Sequence, residues 1–310
     1  MATLHRIAVI GAGAFGQNHC RVVRQSARAE LTAVVDVDPA RASIADYREL
    51  AGKVDAVIVA TPTSSHAEIG CWLLEHGIDV LVEKPMAPDL ESADRLIDAA
   101  DRHGRMLQVG HLERFNPAVM ALEGRITLPL FFEIHRLSVF SPRSLDVDVI
   151  LDLMIHDIDI VLSLSKAKPE EIRAAGVSIL SPKVDIANAR LQFPNGCVAN
   201  LTASRVSTER VRKLRLFQPQ QYISLDYARQ EAVVYAVDDG KVSFEALPVA
   251  KTEPLGLQFD AFLDSLEARK SPKTSGHAAR QTLRVALSIL DKIREHSEIV
   301  SHTLASGWKR

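Results

Sequence analysis

Asp152, His156, Asp159 and Ser163 recur at steps of four, three and four in the stretch DVILDLMIHDIDIVLSLS. At the helical period those steps place all four in one narrow stripe, and Asp157 falls off it. The residues around them are apolar, among them Val149, Ile150, Leu153, Met154, Ile155, Ile158, Ile160 and Val161. The spacing therefore predicts a helix over Asp148–Ser165 that lies inside a domain. Burying an unpaired carboxylate or imidazole is costly. The stripe must either face water at a cleft or meet polar partners in a core. Asp152 and His156 are one turn apart and can touch. An acid beside a histidine fixes its tautomer and favours its protonated form, which is the wiring of a general acid/base. A histidine satisfied inside a core helix would use the same residues.

A second set of residues points to a dinucleotide. Arg6 to Ile10 reads as a short strand, and it runs into Gly11-Ala12-Gly13-Ala14-Phe15-Gly16 before a helix from about Gln17 to Gln25. A second strand, Leu31 to Val35, ends at Asp36, twenty positions after Gly16. A glycine triplet alone is weak, but strand, glycines, helix and distal acid together form a dinucleotide-binding fingerprint. Gly11 permits the tight turn, Gly13 lets backbone approach a pyrophosphate seated on the helix N-terminus, and Gly16 lets helix and strand pack closely. Ala14 and Phe15 complete the loop. Asp36 would accept hydrogen bonds from the adenosine ribose and repel a 2′-phosphate, so NAD is expected rather than NADP. Arg41 stands close enough to soften that preference.

The same grammar continues. Val54 to Ala60 is an unbroken apolar run, the mark of a parallel strand covered on both faces. It ends at Thr61-Pro62, followed by His66, and a helix runs to about His76. Residues just past the carboxyl ends of parallel strands line the ligand crevice. Thr61 and Pro62 are therefore cofactor candidates, and His66 either joins them or lies beside the helix. Asp79 to Val82 delivers Glu83-Lys84-Pro85 at the same edge. Lys84 there is either solvated surface or, held between Glu83 and a proline, an ammonium fixed near the nicotinamide. A fixed ammonium orients a hydroxyl and stabilises developing oxyanion charge. Glu83 joins the cofactor candidates. A helix over Met86–Arg102 and a strand over Met106–Val109 complete the first domain, and Arg114 and Asn116 follow at its end. These two either contact substrate or serve as a hinge that caps the last strand before Pro117.

Beyond about Ala118 the pattern changes. Phe131–Phe140 reads as a strand, then a loop at Ser141-Pro142-Arg143-Ser144, then the striped helix. Strands follow at roughly Ile172–Leu180, Ala187–Phe193, Cys197–Arg205, Val211–Phe217, Tyr222–Tyr227, Ala232–Val237 and Val242–Leu247. Pro194-Asn195-Gly196 and Asp238-Asp239-Gly240 are hairpin turns, so the sheet is largely antiparallel. Helices over Leu257–Arg269 and Ala278–Glu295 close the chain. The expected fold is α/β: a Rossmann doubly wound parallel sheet over 1–118, and over 119–310 an α+β domain with a large, mostly antiparallel open sheet. The basic run Arg205, Arg210, Arg212, Lys213, Arg215 reads as a solvated strand face or as a contact for a phosphate-bearing substrate.

Composition sets the outer limits. The chain has 310 residues, is 47% apolar and 25% charged, and carries a formal net charge of -2. That is a globular balance without the basic field nucleic acid demands. No apolar run approaches the roughly 18 residues of a membrane span. Cys20, Cys71 and Cys197 are odd in number and far apart, which suits a reducing cytoplasm, and no CxxC or His/Cys cluster suggests a metal site.

Taken together, the strand–GAGAFG–helix unit, the Glu83-Lys84-Pro85 triplet and LDLMIHDID at Leu151–Asp159 resemble the Gfo/Idh/MocA oxidoreductases over essentially the whole chain. The resemblance implies an NAD-dependent dehydrogenase of sugar-like alcohols, with Lys84, Asp152 and His156 as its catalytic set. The family pattern carries glycines before and between the acid and the histidine, where this chain has Val149, Ile150 and Met154. GHLERFNPAV at Gly110–Val119 and SRVS at Ser204–Ser207 narrow the resemblance to nucleotide-sugar 3-dehydrogenases. That group implies oxidation of a UDP-linked amino sugar, pairing with an aminotransferase, a homo-oligomer and a product for lipid A or other surface glycans. A dehydrogenase of a free polyol such as inositol, and a cofactor-sensing regulator, are the competing expectations.

Overall fold

The computed structural model describes residues 4–141 and 147–305, with side chains described as far as His302. From Pro142 onward, the loop expected at Ser141–Ser144 lies outside the described residues. The chain divides into two compact units, residues 1–115 with 252–283 and residues 116–251 with 284–310.

The first unit holds a five-stranded parallel sheet. Its strands are β1 (His5–Ile10), β2 (Ala29–Val35), β3 (Ala56–Val59), β4 (Asp79–Glu83) and β5 (Leu107–Gly110), in the order β2-β1-β3-β4-β5. Beyond β2, Ile44 makes an isolated parallel bridge to Val35. Helices α1 (Ala14–Gln25), α2 (Thr63–Glu75) and α3 (Leu90–His103) form the crossovers. Alternate strand residues face opposite sides of the sheet. Ile7, Val9, Ala56, Ile58 and Leu81 bury on one side against Cys20, Val22 and Val23 of α1. Ala8, Val57, Val80 and Val82, fully buried, face the other side, where α2 and α3 pack together.

A sheet buried on both faces needs more apolar cover than α1 alone supplies. The helix Pro254–Ala268 provides it, placing Leu255, Phe259, Phe262, Leu263 and Leu266 into the same core as α1. Ion pairs fasten this returning segment: Arg269–Asp79 at 2.7 Å, Arg28–Asp264 at 2.8 Å and Arg21–Glu253. The expected division at 118/119 therefore needs correcting. The first unit ends at Phe115, and Thr252–Leu283 belongs with it rather than with the second domain.

The second unit is built on an eight-stranded sheet of β6 (Phe131–Val139), β7 (Glu171–Val177), β8 (Ile186–Gln192), β9 (Val198–Ser207), β10 (Val211–Gln218), β11 (Gln221–Asp226), β12 (Glu231–Asp238) and β13 (Lys241–Ala246). The order is β13-β12-β11-β10-β6-β9-β8-β7, antiparallel throughout except for the parallel pair β6–β9. Gly196 (φ 81°) and Gly240 (φ 75°) occupy the left-handed positions that the two expected hairpin turns require. One face of the sheet buries Phe132, Ile134, Leu201, Leu214 and Ile223 beneath Ile155, Ile158 and Val161 of the striped helix, and beneath Val285, Ile289 and Ile293. The other face carries Phe131, Phe217, Tyr222, Tyr235 and Phe244 in a row across five strands, each ring on its cross-strand neighbour at 4.9–5.9 Å.

The striped helix differs from expectation in one respect. Ile150–Met154 forms a π-helical turn, and the α-helix proper, α4, runs Ile155–Ser165. Such turns insert one extra residue and are frequent where a helix presents functional side chains.

Candidate active site

The cofactor cradle lies wholly in the first unit. Gly11 has φ 90°, and a Cβ there would stand 2.7 Å from the Ala60 carbonyl carbon. A Cβ on Gly16 would stand 1.7 Å from Gly11 O, so helix and strand could not close on any other residue. At Gly13 a Cβ would meet nothing within 4 Å, which leaves its backbone open to an occupant. Gly13 caps α1 without a side-chain bond, and the first turn of the helix carries no acid. Its N–H groups are thus suited to a diphosphate. At the end of β2, Asp36 accepts the Ala12 N–H at 2.6 Å and the Asp38 N–H at 2.9 Å. The Asp38 bond first, then the Ala12 bond, holds its carboxyl below the usual carboxylate range, so it meets a ribose as an anion. These residues bound a cavity of about 940 Å³, lined by Gly11, Gly13, Ala14, Phe15, Asp36, Thr61 and Pro62 among others. Its size and its glycine-lined, acid-ended wall fit a dinucleotide. Sequence reasoning missed Val37, Tyr47, Arg48 and Ile69, which also line it. Tyr47 and Arg48 lie on a 3₁₀ turn in a connection whose sequence carries no recognisable ligand signal.

Three expected cofactor residues sit behind this wall instead of on it. Gly16 is spent on packing. His66 is 1% exposed, with Nδ1 3.0 Å from Pro85 O and Nε2 2.9 Å from Thr61 O. Burial pushes its pKa down against those two carbonyls and the Glu83 charge. His66 therefore braces the two loops that bracket the crevice. Glu83 is 7% exposed and bonded to His19 at 2.8 Å. Lys84 follows it, partly exposed, at the carboxyl end of β4 and joined to Pro85 by a cis peptide.

In the second unit Asp152, on the π-turn, and His156, in the first turn of α4, are both partly exposed. Lower on the stripe, Asp159 is 4% exposed, and the Ser163 hydroxyl donates to Ile160 O at 3.0 Å. Of the four stripe residues, Asp159 is the one buried in protein, while Asp152, His156 and Ser163 keep partial exposure. Asp157, off the stripe, forms a two-pronged pair with Arg136 of β6 at 2.7 and 2.8 Å, both side chains 1% exposed. Tyr227 stacks over the Arg136 guanidinium at 5.0 Å. The signal was present in β6, since Arg136 shares the inward period-two positions of Phe132 and Ile134 and so demands a buried acid.

Two other expectations change. Asn116 is 3% exposed, accepts the Ala118 N–H at 3.1 Å and donates to Tyr227 O at 3.1 Å. It is the N-cap of a short helical turn opening at Pro117 and does not offer its amide to a substrate. Arg114 remains partly exposed on the preceding 3₁₀ turn. In the basic run, Arg205 is buried and donates to Val147 O, and Arg215 pairs with Glu133 at 2.8 Å, so those two serve the fold.

Comparison with known proteins is consistent along the chain. Residues 5–111 match the family model described as oxidoreductase family, NAD-binding Rossmann fold, and residues 125–221 match the Gfo/Idh/MocA C-terminal domain. A UDP-N-acetylglucosamine 3-dehydrogenase of Acidithiobacillus ferrooxidans is 36% identical over 92% of this chain and 96% of its own length. A solved structure of UDP-N-acetylglucosamine 3-dehydrogenase from the same species superposes with a TM-score of 0.89 at 35% identity, covering 94% of this chain and 98% of that one. An inositol 2-dehydrogenase of Acidothermus cellulolyticus is 34% identical over 54% of this chain and 56% of its own. With its glycine cradle, its anionic Asp36 and these full-length similarities, the chain belongs to the Gfo/Idh/MocA oxidoreductases and is an NAD-binding dehydrogenase.

Proposed function

We propose that this dehydrogenase oxidises the 3-hydroxyl of UDP-N-acetylglucosamine to the 3-keto sugar. The observation that carries the reading is 36% identity to a UDP-N-acetylglucosamine 3-dehydrogenase along 92% of the chain, both units included, whereas an inositol 2-dehydrogenase that aligns along 95% of the chain is 25% identical. Gly11, Gly13, Ala14, Phe15, Asp36, Thr61 and Pro62 hold the dinucleotide. Bound NAD supplies the hydride acceptor. His156 takes the hydroxyl proton of the sugar as the carbinol C–H bond breaks. Asp152 orients the imidazole and stabilises the imidazolium that forms. Lys84 donates to the same oxygen and stabilises its alkoxide character. Arg114 is the remaining candidate for substrate contact.

The ketone so formed is the substrate of an aminotransferase, and the resulting diamino sugar suits lipid A or a related surface glycan. The aromatic row on the open sheet face serves contact between copies in a homo-oligomer. The described cysteines are free thiols, as a cytoplasmic enzyme requires, and no described helix is long and apolar enough to cross a membrane.

The test is NADH formation by the purified protein with UDP-N-acetylglucosamine, a partner aminotransferase and glutamate being present to remove the ketone. Turnover that exceeds that with myo-inositol is the expected result. Turnover of inositol alone would leave the dehydrogenase standing and remove the nucleotide sugar.

A further inference from the structure

His19 belongs to none of the roles above, yet it is 1% exposed and lies on the cradle helix, behind the cavity wall. It stands on α1, three residues after Gly16, and its Nε2 is 2.8 Å from Oε1 of Glu83. The other carboxylate oxygen of Glu83 accepts the backbone N–H of Lys84 at 3.2 Å. Gly110 at the end of β5 makes room for this carboxylate, since a Cβ there would lie 2.5 Å from Glu83 Oε1. The rings of Phe15 and His19 meet in a T-shaped contact at 5.2 Å and 82°. Phe15 is 40% exposed and lines the dinucleotide cavity.

We propose that His19 is a positioning residue that, through Glu83, ties the wall of the cofactor cavity at Phe15 to the backbone of Lys84. A nearly buried carboxylate is costly unless its oxygens are satisfied. Here the satisfying donors are one ring of the cradle helix and the peptide of the lysine itself. His19 Nδ1 is buried with no hydrogen-bond partner among the described residues. The tautomer that donates from Nε2 to Glu83 makes Nδ1 an acceptor. The chain of contacts runs Phe15, His19, Glu83, Lys84, entirely within the first unit. An occupant pressing on Phe15 therefore bears on the segment that aims the ammonium. A shift of about 1 Å in a positioned group costs on the order of 100-fold in rate. The proposal rests on the role given to Lys84 above.

The test is a cycle of His19→Leu and Lys84→Ala, singly and together, assayed on whichever alcohol the wild-type enzyme oxidises, at enzyme concentrations high enough to read the slow variants. His19→Leu should lower kcat about 10- to 100-fold, with the NADH dissociation constant within about twofold of wild type. His19→Gln, which carries an amide donor to the Nε2 position, should recover most of the rate and guards against a folding defect. In the Lys84→Ala background, His19→Leu should cost little more, because its effect passes through the lysine. Equal losses in both backgrounds would mean that His19 only holds the fold and would overturn the link. A Lys84→Ala enzyme as fast as wild type would remove the lysine role and the link with it. A change of substrate preference leaves the cycle intact, since it needs only a working alcohol.

Discussion

Among single residues, some meet the reactants and others hold those that do. Lys84 is of the first kind. Lys84→Ala should lower kcat by about 100- to 10,000-fold, the range of one proton-handling or oxyanion-stabilising group. NADH affinity, read by fluorescence titration, should stay unchanged. His66 is of the second kind. Its folded pKa lies below the unfolded value of 6.5, chiefly because it is buried. The folded state therefore binds fewer protons than the unfolded state between those two values. The stability this group contributes is present above pH 6.5 and is lost as pH falls through the folded value. Melting temperature should drop over that interval in the wild type and should flatten in His66→Gln. The contrast with Asn116 shows what local chemistry could reveal. Asparagine directly before proline reads first as a cap, and the structure gives it that work, whereas its place at a strand end had suggested substrate contact.

Among the elements, the cradle was legible because its rules are backbone rules. Gly11, Gly13, Gly16 and Asp36 act through turn, approach and strand end, all fixed within one local unit. Helix α4 was legible as a buried helix with a polar stripe, but the π-turn at Ile150–Met154 was not, since a regular period was assumed through it. Nor was Asp157 identified as the partner of Arg136, because the two are joined across the core rather than along the chain. This pair fixes α4, and so His156, against β6. Removing one member strands the other charge in the core. Arg136→Met should cost about 3–5 kcal/mol of unfolding free energy, measured in urea, whereas the double change Arg136→Met with Asp157→Leu should recover much of it. A single variant as stable as the wild type would show that the pair is solvated in solution.

On the scale of the whole molecule, strand count, sheet direction and the change of grammar near residue 118 could be read from periodicity and turn residues. The return of Thr252–Leu283 to the first unit could not, because an amphipathic helix shows which face it buries but not where. The open sheet face makes a prediction of its own. Phe244 is 62% exposed at the end of the aromatic row, and Phe244→Asp should lower the assembly mass seen by light scattering. An unchanged mass would place the copy contact elsewhere. Hydride origin tests the proposed oxidation at C3. UDP-N-acetylglucosamine deuterated at C3 is incubated with NAD and the enzyme, and the reduced cofactor is examined by mass spectrometry. NADH should carry one deuterium, with no label from substrate deuterated at C4. Unlabelled NADH from the C3-deuterated sugar, or label drawn from another carbon, would contradict it.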